Sequence, residues 1–102
     1  MKAARAASSP CYLVEWYRSA LSGDQLDRVA ASIEACAASE SAGGSCVHLL
    51  AIVAVPDDEV IFGIFAADSE AGVAQTCRRA RMSAQRVTAA VGLGGAAVRV
   101  TH

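Results

Sequence analysis

The chain has 102 residues, of which 54% are hydrophobic and 19% are charged, and its formal net charge at pH 7 is -1. This length and apolar content predict one folded domain with a single core, and they exclude a disordered chain. The near-zero charge and an aromatic content of 5% argue against nucleic acid as the main partner. No stretch approaches the ~18 consecutive apolar residues that read as a membrane-spanning helix.

Residues 1–10 are predicted to form a flexible tail. They carry two positive charges but no apolar segment typical of a secretory signal, so we expect a cytoplasmic protein that does not enter membranes. The four cysteines are scattered and contain no C-x-x-C pair. We therefore expect reduced cysteines that pack as small hydrophobic side chains.

The first strand is predicted over residues 11–17, which are rich in residues that favour strands. The first helix then begins with a strong signal, because Ser22 and Gln25 have the spacing of a capping box and Leu21 and Leu26 that of a hydrophobic staple. Apolar residues at helical spacing follow: Leu26, Val29, Ala30, Ile33, Cys36 and Ala37. The glycines after Ala42 indicate where this helix ends.

A hairpin without a polar face comes next, with strands over 46–55 and 59–67 and a turn at 56–58. Successive side chains of a strand point to opposite faces, so a strand with one wet face alternates apolar and polar residues. These strands are apolar on both faces, which predicts that both faces of the sheet are covered. The two helices of the chain suffice for one face only. The other face is expected to meet a second subunit or to enclose a ligand.

The rest of the chain completes a β-α-β-β-α-β order with one extra strand. A second helix is predicted over 68–81, a fourth strand over 86–91 and a short fifth strand over 96–102. Right-handed crossovers around the central hairpin favour the α+β ferredoxin-like fold, with a four-stranded antiparallel sheet and both helices on one face. We assign this domain to residues 11–93, and residues 94–102 to a tail or extra strand. Pairing of two open sheets would give a homodimeric α+β barrel; alternatively, the fifth strand and tail cover the sheet.

Several segments in this order resemble a known bacterial family. They are Tyr12-Leu-Val-Glu-Trp-Tyr17, the strand that contains His48, the run from Val55 to Phe65, and Ser69-Glu70-Ala71. The family comprises small ferredoxin-like proteins of largely unknown function, one branch of which binds nickel. The resemblance spans roughly residues 11–91 and implies the dimeric ferredoxin-like fold. The nickel branch looks rich in histidine, whereas this chain has only His48 and His102.

Two residues at the start of the second strand could bind a metal ion. His48 precedes Leu50 and Ile52, which by simple alternation share its face. Cys46 lies two residues earlier and points the same way, and a thiolate beside an imidazole suits zinc, nickel or copper. The simpler interpretation is a hydrogen-bonded structural histidine and a packed cysteine.

Glu15 is the one acidic residue inside the apolar first strand, where Leu13 and Tyr17 share its face. A buried carboxylate is costly unless it is paired, so Glu15 is either a general base, a metal ligand or the partner of Arg18, Arg86 or another basic group at a dimer rim. With a two-residue hairpin loop, Val53 pairs with Phe62 and Ile52 with Gly63. Gly63 would then leave a gap on the face of His48. The register of the first strand decides whether Glu15 shares that face.

Three functional hypotheses follow. In the first, a homodimer binds a small ligand or a divalent metal such as nickel at the sheet face. The expected ligand-binding residues are Glu15, Tyr17, His48 and Phe62, and the expected metal ligands are His48, Cys46 and Glu15. In the second, a cofactor-free barrel enzyme of monooxygenase or isomerase type acts on a small apolar substrate, and Glu15 or His48 moves a proton. In the third, the chain is a structural or assembly module.

Overall fold

A computed structural model describes residues 8–18, 22–93 and 98–100 of the chain. The elements follow the predicted order. They are β1 (Ser8–Tyr17), α1 (Gly23–Ala42), β2 (Val47–Val55), a 3-10 turn (Pro56–Asp58), β3 (Val60–Ala67), α2 (Glu70–Arg79), β4 (Arg86–Leu93) and β5 (Val98–Val100).

The strands form one antiparallel sheet in the order β2-β3-β1-β4-β5. The first four strands and the two helices make the ferredoxin-like α+β fold that the sequence predicts, and β5 extends the sheet beside β4. One boundary was predicted wrongly. Residues 8–10 were predicted to belong to a tail, but they are part of β1 and pair with β4. The predictions for 1–7, 94–97 and 101–102 lie outside the described residues.

Both helices begin with a side-chain cap. At α1 the predicted capping box is present, because the Gln25 backbone N–H donates to Ser22 Oγ at 3.1 Å and the Ser22 backbone N–H donates to Gln25 Oε1 at 2.8 Å. Leu21, half of the predicted staple, lies outside the described residues. At α2 the Gly72 N–H donates to Ser69 Oγ at 3.1 Å. Local sequence therefore marks where each helix begins.

The hydrophobic core lies between the helices and one face of the sheet. The rings of Trp16 and Phe65 meet edge to face with centroids 6.5 Å apart, and the indole N–H donates to the Met82 carbonyl at 2.6 Å. Further buried side chains of this cluster are Val14, Ile33, Ala37, Val47, Ile61, Ala67, Val73 and Cys77. Within the described residues no helix is both long and apolar enough to cross a membrane. The cytoplasmic location stays a prediction.

A bulge in β2 changes which residues share a face. The ladder between β2 and β3 pairs Leu49 with Phe65 and Ala51 with Ile64, which leaves Leu50 as an extra residue, 61% exposed. One extra residue reverses the alternation, so Ile52 packs against the helix-side core although simple alternation placed it beside His48.

The predicted gap at Gly63 is wrong for the same reason. The predicted register itself is confirmed, because Val53 pairs with Phe62 and Ile52 pairs with Gly63. Gly63, however, faces the helices, and a Cβ added there would lie 2.8 Å from Trp16 Cη2. The indole ring fills the space, so Gly63 permits close packing and opens no pocket.

Candidate functional site

The side of the sheet that faces away from both helices is called the open face here. Strand register places on it Leu13, Glu15 and Tyr17 of β1, Phe62 and Ile64 of β3, Ala51 and Val53 of β2, and Thr88 and Arg86 of β4. Most of these side chains are apolar. Tyr17 is 56% exposed and Val53 is 50% exposed. No described helix covers this surface, as the sequence predicted.

One polar cluster interrupts the open face. Glu15 Oε1 accepts a hydrogen bond from Tyr17 Oη at 3.1 Å, and Arg86 Nε lies 3.8 Å from Glu15 Oε2. Register explains the grouping, because Tyr17 is two residues along the same face and Arg86 is directly opposite Glu15 on β4. Phe62 is opposite Glu15 on β3. Three of the predicted ligand residues, Glu15, Tyr17 and Phe62, therefore lie together.

The Glu15 carboxylate is held firmly and is mostly covered, with its side chain 17% exposed. The backbone beside it is fixed by Gln85, whose N–H donates to the Glu15 carbonyl at 2.9 Å and whose Oε1 accepts from the Tyr17 N–H at 3.0 Å. A basic partner such as Arg18 or Arg86 was one of the roles predicted for Glu15, and the structure contains the ion pair with Arg86. A carboxylate paired with a guanidinium and a phenol is a ready acceptor for a polar group of a ligand.

The contact with Glu15 changes the pKa of the Tyr17 phenol. Its hydrogen bond to Glu15, followed by the negative charge of that carboxylate and by burial, raises the pKa of Tyr17 above its ordinary value, while Arg86 opposes the shift. Tyr17 therefore stays protonated near neutral pH. It is a hydrogen-bond donor at the apolar surface.

His48 lies on the same face as Glu15 but far from it. His48 is opposite Ala66, which is opposite Cys11, four residues along β1 from Glu15. Four residues along a strand and two strand spacings across separate their backbones by roughly 16 Å. The predicted metal set of His48, Cys46 and Glu15 is therefore not brought together within one chain. Among all described residues, no three histidine, cysteine, aspartate or glutamate side chains group closely enough to hold a metal ion.

The cysteines largely behave as packing residues. All four are free, and Cys11 and Cys77 are buried. Burial raises the pKa of the Cys77 thiol to about 11 and also raises the pKa of Cys11. Cys46 is exposed just before β2, where its backbone N–H donates to Asp68 Oδ2 at 3.4 Å. Neither buried thiol is a metal ligand or nucleophile in its neutral form.

Described residues also line two hollows outside the centre of the open face, and neither was predicted from the sequence. A groove of about 360 Å³ runs between α1 and the edge strand β2, bordered by Glu34, Ala37, Ala38, Ser41, Val47, His48 and Leu49. A second hollow of about 290 Å³ lies at the end of β1, lined by Trp16, Tyr17, Arg18, Arg81, Met82, Ser83 and Gln85. The sequence feature that points to the second hollow is a pair of arginines, Arg18 after β1 and Arg81 after α2, which come close only after folding.

Compared with known proteins, the sequence matches no family model and no curated protein. Among solved structures, the fold is similar to that of SCO4226 from Streptomyces coelicolor A3(2), with a TM-score of 0.70 and 18% sequence identity. The similarity covers 85% of this chain and 99% of that chain. It shows the fold alone, and the family resemblance drawn from the sequence stays a prediction.

Proposed function

We propose that this protein is a homodimer that joins through the open face and binds a small, largely apolar ligand beside Glu15, Tyr17 and Phe62. The observation that carries the proposal is the cluster of Glu15, Tyr17 and Arg86 on a mostly apolar sheet surface that no described helix covers. A contiguous apolar patch that borders a few convergent polar groups is typical of a binding site or an interface.

The size of the open face supports a second copy of the chain as its cover. Strands β2, β3, β1 and β4 each have eight to ten residues. Strand spacing and rise per residue give this sheet a surface of about 500 Å². Two copies placed face to face would bury about 1,000 Å², which reaches the lower limit for a specific interface. Each copy would contribute the same four strands to the interface, which is what two-fold symmetry requires.

The polar cluster supports a ligand at this interface. Closing two sheets over Glu15 and Arg86 would remove water from an ion pair, which is costly unless further hydrogen bonds compensate. A ligand hydroxyl or amide that bonds to Glu15 or to the Tyr17 phenol would supply them. Tyr17 and Arg86 are the exposed members of the cluster, and the Tyr17 phenol is available for that contact.

The hydrogen bond between Tyr17 and Glu15 favours one alternative. A phenol that donates to a carboxylate can exchange a proton with a bound molecule, so a cofactor-free isomerase or monooxygenase acting on a small apolar substrate would use this pair. A metal site has less support. Nickel or another divalent ion at His48 would need ligands beyond those that the described residues of one chain gather.

Native mass spectrometry and light scattering of untagged protein, purified without chelator, test the proposal. The expected result is a dimer that carries a small organic mass. An adduct of metal mass would favour the nickel hypothesis, and a dimer without an adduct would favour the enzyme or the structural module. A monomer would contradict the dimer directly.

Three variants locate the interface and the ligand. Val53→Glu places a charge on the open face without touching the core, so it is expected to weaken dimerisation by at least tenfold. Ser32→Glu, on the exposed side of α1, is the matched control and should leave the dimer intact. Glu15→Gln should keep the dimer and lose the adduct. A Val53→Glu protein that dimerises like the wild type would show that another surface mediates association.

A further inference from the structure

The end of helix α2 has an arginine where glycine is the usual residue. The Met82 N–H donates to the Cys77 carbonyl at 2.8 Å and the Arg81 N–H donates to the Arg78 carbonyl at 3.0 Å. This pair of hydrogen bonds is the Schellman motif, whose left-handed residue is most often glycine. Here that residue is Arg81, with φ at 60°.

A left-handed conformation is unfavourable for arginine, because its Cβ crowds the following carbonyl oxygen. Glycine in its place would avoid that strain and shift the folding equilibrium by roughly tenfold toward the native state. The favourable interaction of a cation with the helix end does not account for Arg81, since Arg78 and Arg79 already occupy the last turn. Strained residues of this kind cluster at functional sites.

Arg81 lines the hollow at the end of β1 together with a second arginine. Arg18 Nη1 lies 2.6 Å from Met82 Sδ, and a thioether is a weak acceptor that does not neutralise a guanidinium. Neither Arg18 nor Arg81 forms a salt bridge with a described carboxylate. Ser83 also borders the hollow. Two arginines that form no salt bridge with a described carboxylate, together with a serine, thus line one small space.

The nearby negative charges do not cancel this arrangement. The carbonyls of Cys77 and Arg78 at the end of α2 already accept hydrogen bonds from the motif itself. The Glu15 carboxylate, next along the face from Tyr17, is paired with Arg86. Glu59, whose carbonyl accepts the Arg18 N–H at 2.8 Å, forms no salt bridge with Arg18 or Arg81. The charge that remains in the hollow is positive.

We propose that the hollow lined by Arg18, Arg81 and Ser83 binds a small oxyanion, namely a phosphate or carboxylate group of a small metabolite. Guanidinium groups match both oxyanions through paired N–H donors. A volume of about 290 Å³ admits one such group with a short organic part. Tyr17 borders both this hollow and the open face, but the oxyanion site uses Arg18, Arg81 and Ser83 and does not depend on the contacts proposed for the open face.

Titration of the whole chain with inorganic phosphate, and separately with acetate, tests the site. Trp16 lines the hollow and is the only tryptophan, so its fluorescence reports occupancy, and calorimetry measures the same binding independently. We expect saturation with a Kd of about 1 mM or tighter at low ionic strength. The anion that binds better identifies the class of ligand. Absence of saturation with both anions would overturn the proposal.

Variants separate a binding role from a structural one. Arg18→Gln and Arg81→Gly should each weaken binding by about tenfold or more, and Arg81→Lys should weaken it less because the charge remains. Arg28→Gln, at an exposed position of α1, is the control and should bind normally. Arg81→Gly should also unfold at a higher temperature than the wild type. Unchanged binding in both hollow variants, or a lower unfolding temperature for Arg81→Gly, would overturn the assignment.

Discussion

The two faces of the sheet are built from similar residues but differ in what meets them. On the helix side, Trp16 and Phe65 pack edge to face next to Gly63 and are almost completely buried. On the open face, Phe62, the residue before Gly63 in β3, is only half-buried. The comparison teaches that apolar character alone does not identify the core, because contacts from the helices decide which face stabilises the single chain.

Truncation of one phenylalanine on each face provides the largest contrast. Phe65→Ala removes a fully buried ring and should lower the free energy of unfolding by about 3–5 kcal/mol. Phe62→Ala should lower it by less than ~1 kcal/mol at concentrations that keep the chain monomeric, and should weaken association instead. Urea unfolding at low protein concentration measures both. Equal losses in the two variants would mean that the open face is packed within one chain.

Addition of a single methyl group to the helix side should have a smaller effect. Gly63→Ala would place a Cβ 2.8–2.9 Å from two ring carbons of Trp16, so we expect a loss of about 1–3 kcal/mol. Gly23→Ala is the matched control, since no atom lies within 4 Å of the added carbon, and it should be neutral or slightly stabilising. Thermal unfolding distinguishes them. A neutral Gly63→Ala would show that the indole can move aside.

The smallest expected effect concerns the polar cluster of the open face. Glu15→Gln removes the carboxylate that raises the pKa of Tyr17, so the pKa should fall toward its ordinary value of 10.0. Ultraviolet titration of the phenol in a Tyr12→Phe background measures this, because the chain has only two tyrosines. The phenol should ionise at lower pH in the variant. The same midpoint with and without Glu15→Gln would mean that the two side chains do not interact in solution.

Local signals were sufficient to predict the order of the elements. The capping box of Ser22 and Gln25, the helical spacing of apolar residues and the short hairpin turn each act over a few residues, and all appear in the structure. The pairing of Val53 with Phe62 was predictable because a short turn fixes register. The contact between Glu15 and Arg86 was harder to predict, because it depends on the pairing of β1 with β4, which are far apart in sequence.

The remaining errors have specific physical causes. A single extra residue, Leu50, reverses the facing of part of β2, and no turn residue or glycine marks its position. The predicted gap at Gly63 failed because of that reversal. The left-handed conformation of Arg81 could not be predicted from the sequence either, since glycine is the residue that usually indicates this conformation.

The bulge at Leu50 has a further consequence for the behaviour of the chain in concentrated solution. Strand β2 is an outer strand of the sheet, nine residues long and almost wholly apolar. Such a strand offers a row of free N–H and C=O groups to any passing chain and is a starting point for aggregation. The extra residue interrupts that row and twists the strand, so an incoming strand cannot pair along its whole length. The irregularity that reversed the predicted facing of Ile52 is thus expected to hinder unwanted strand addition.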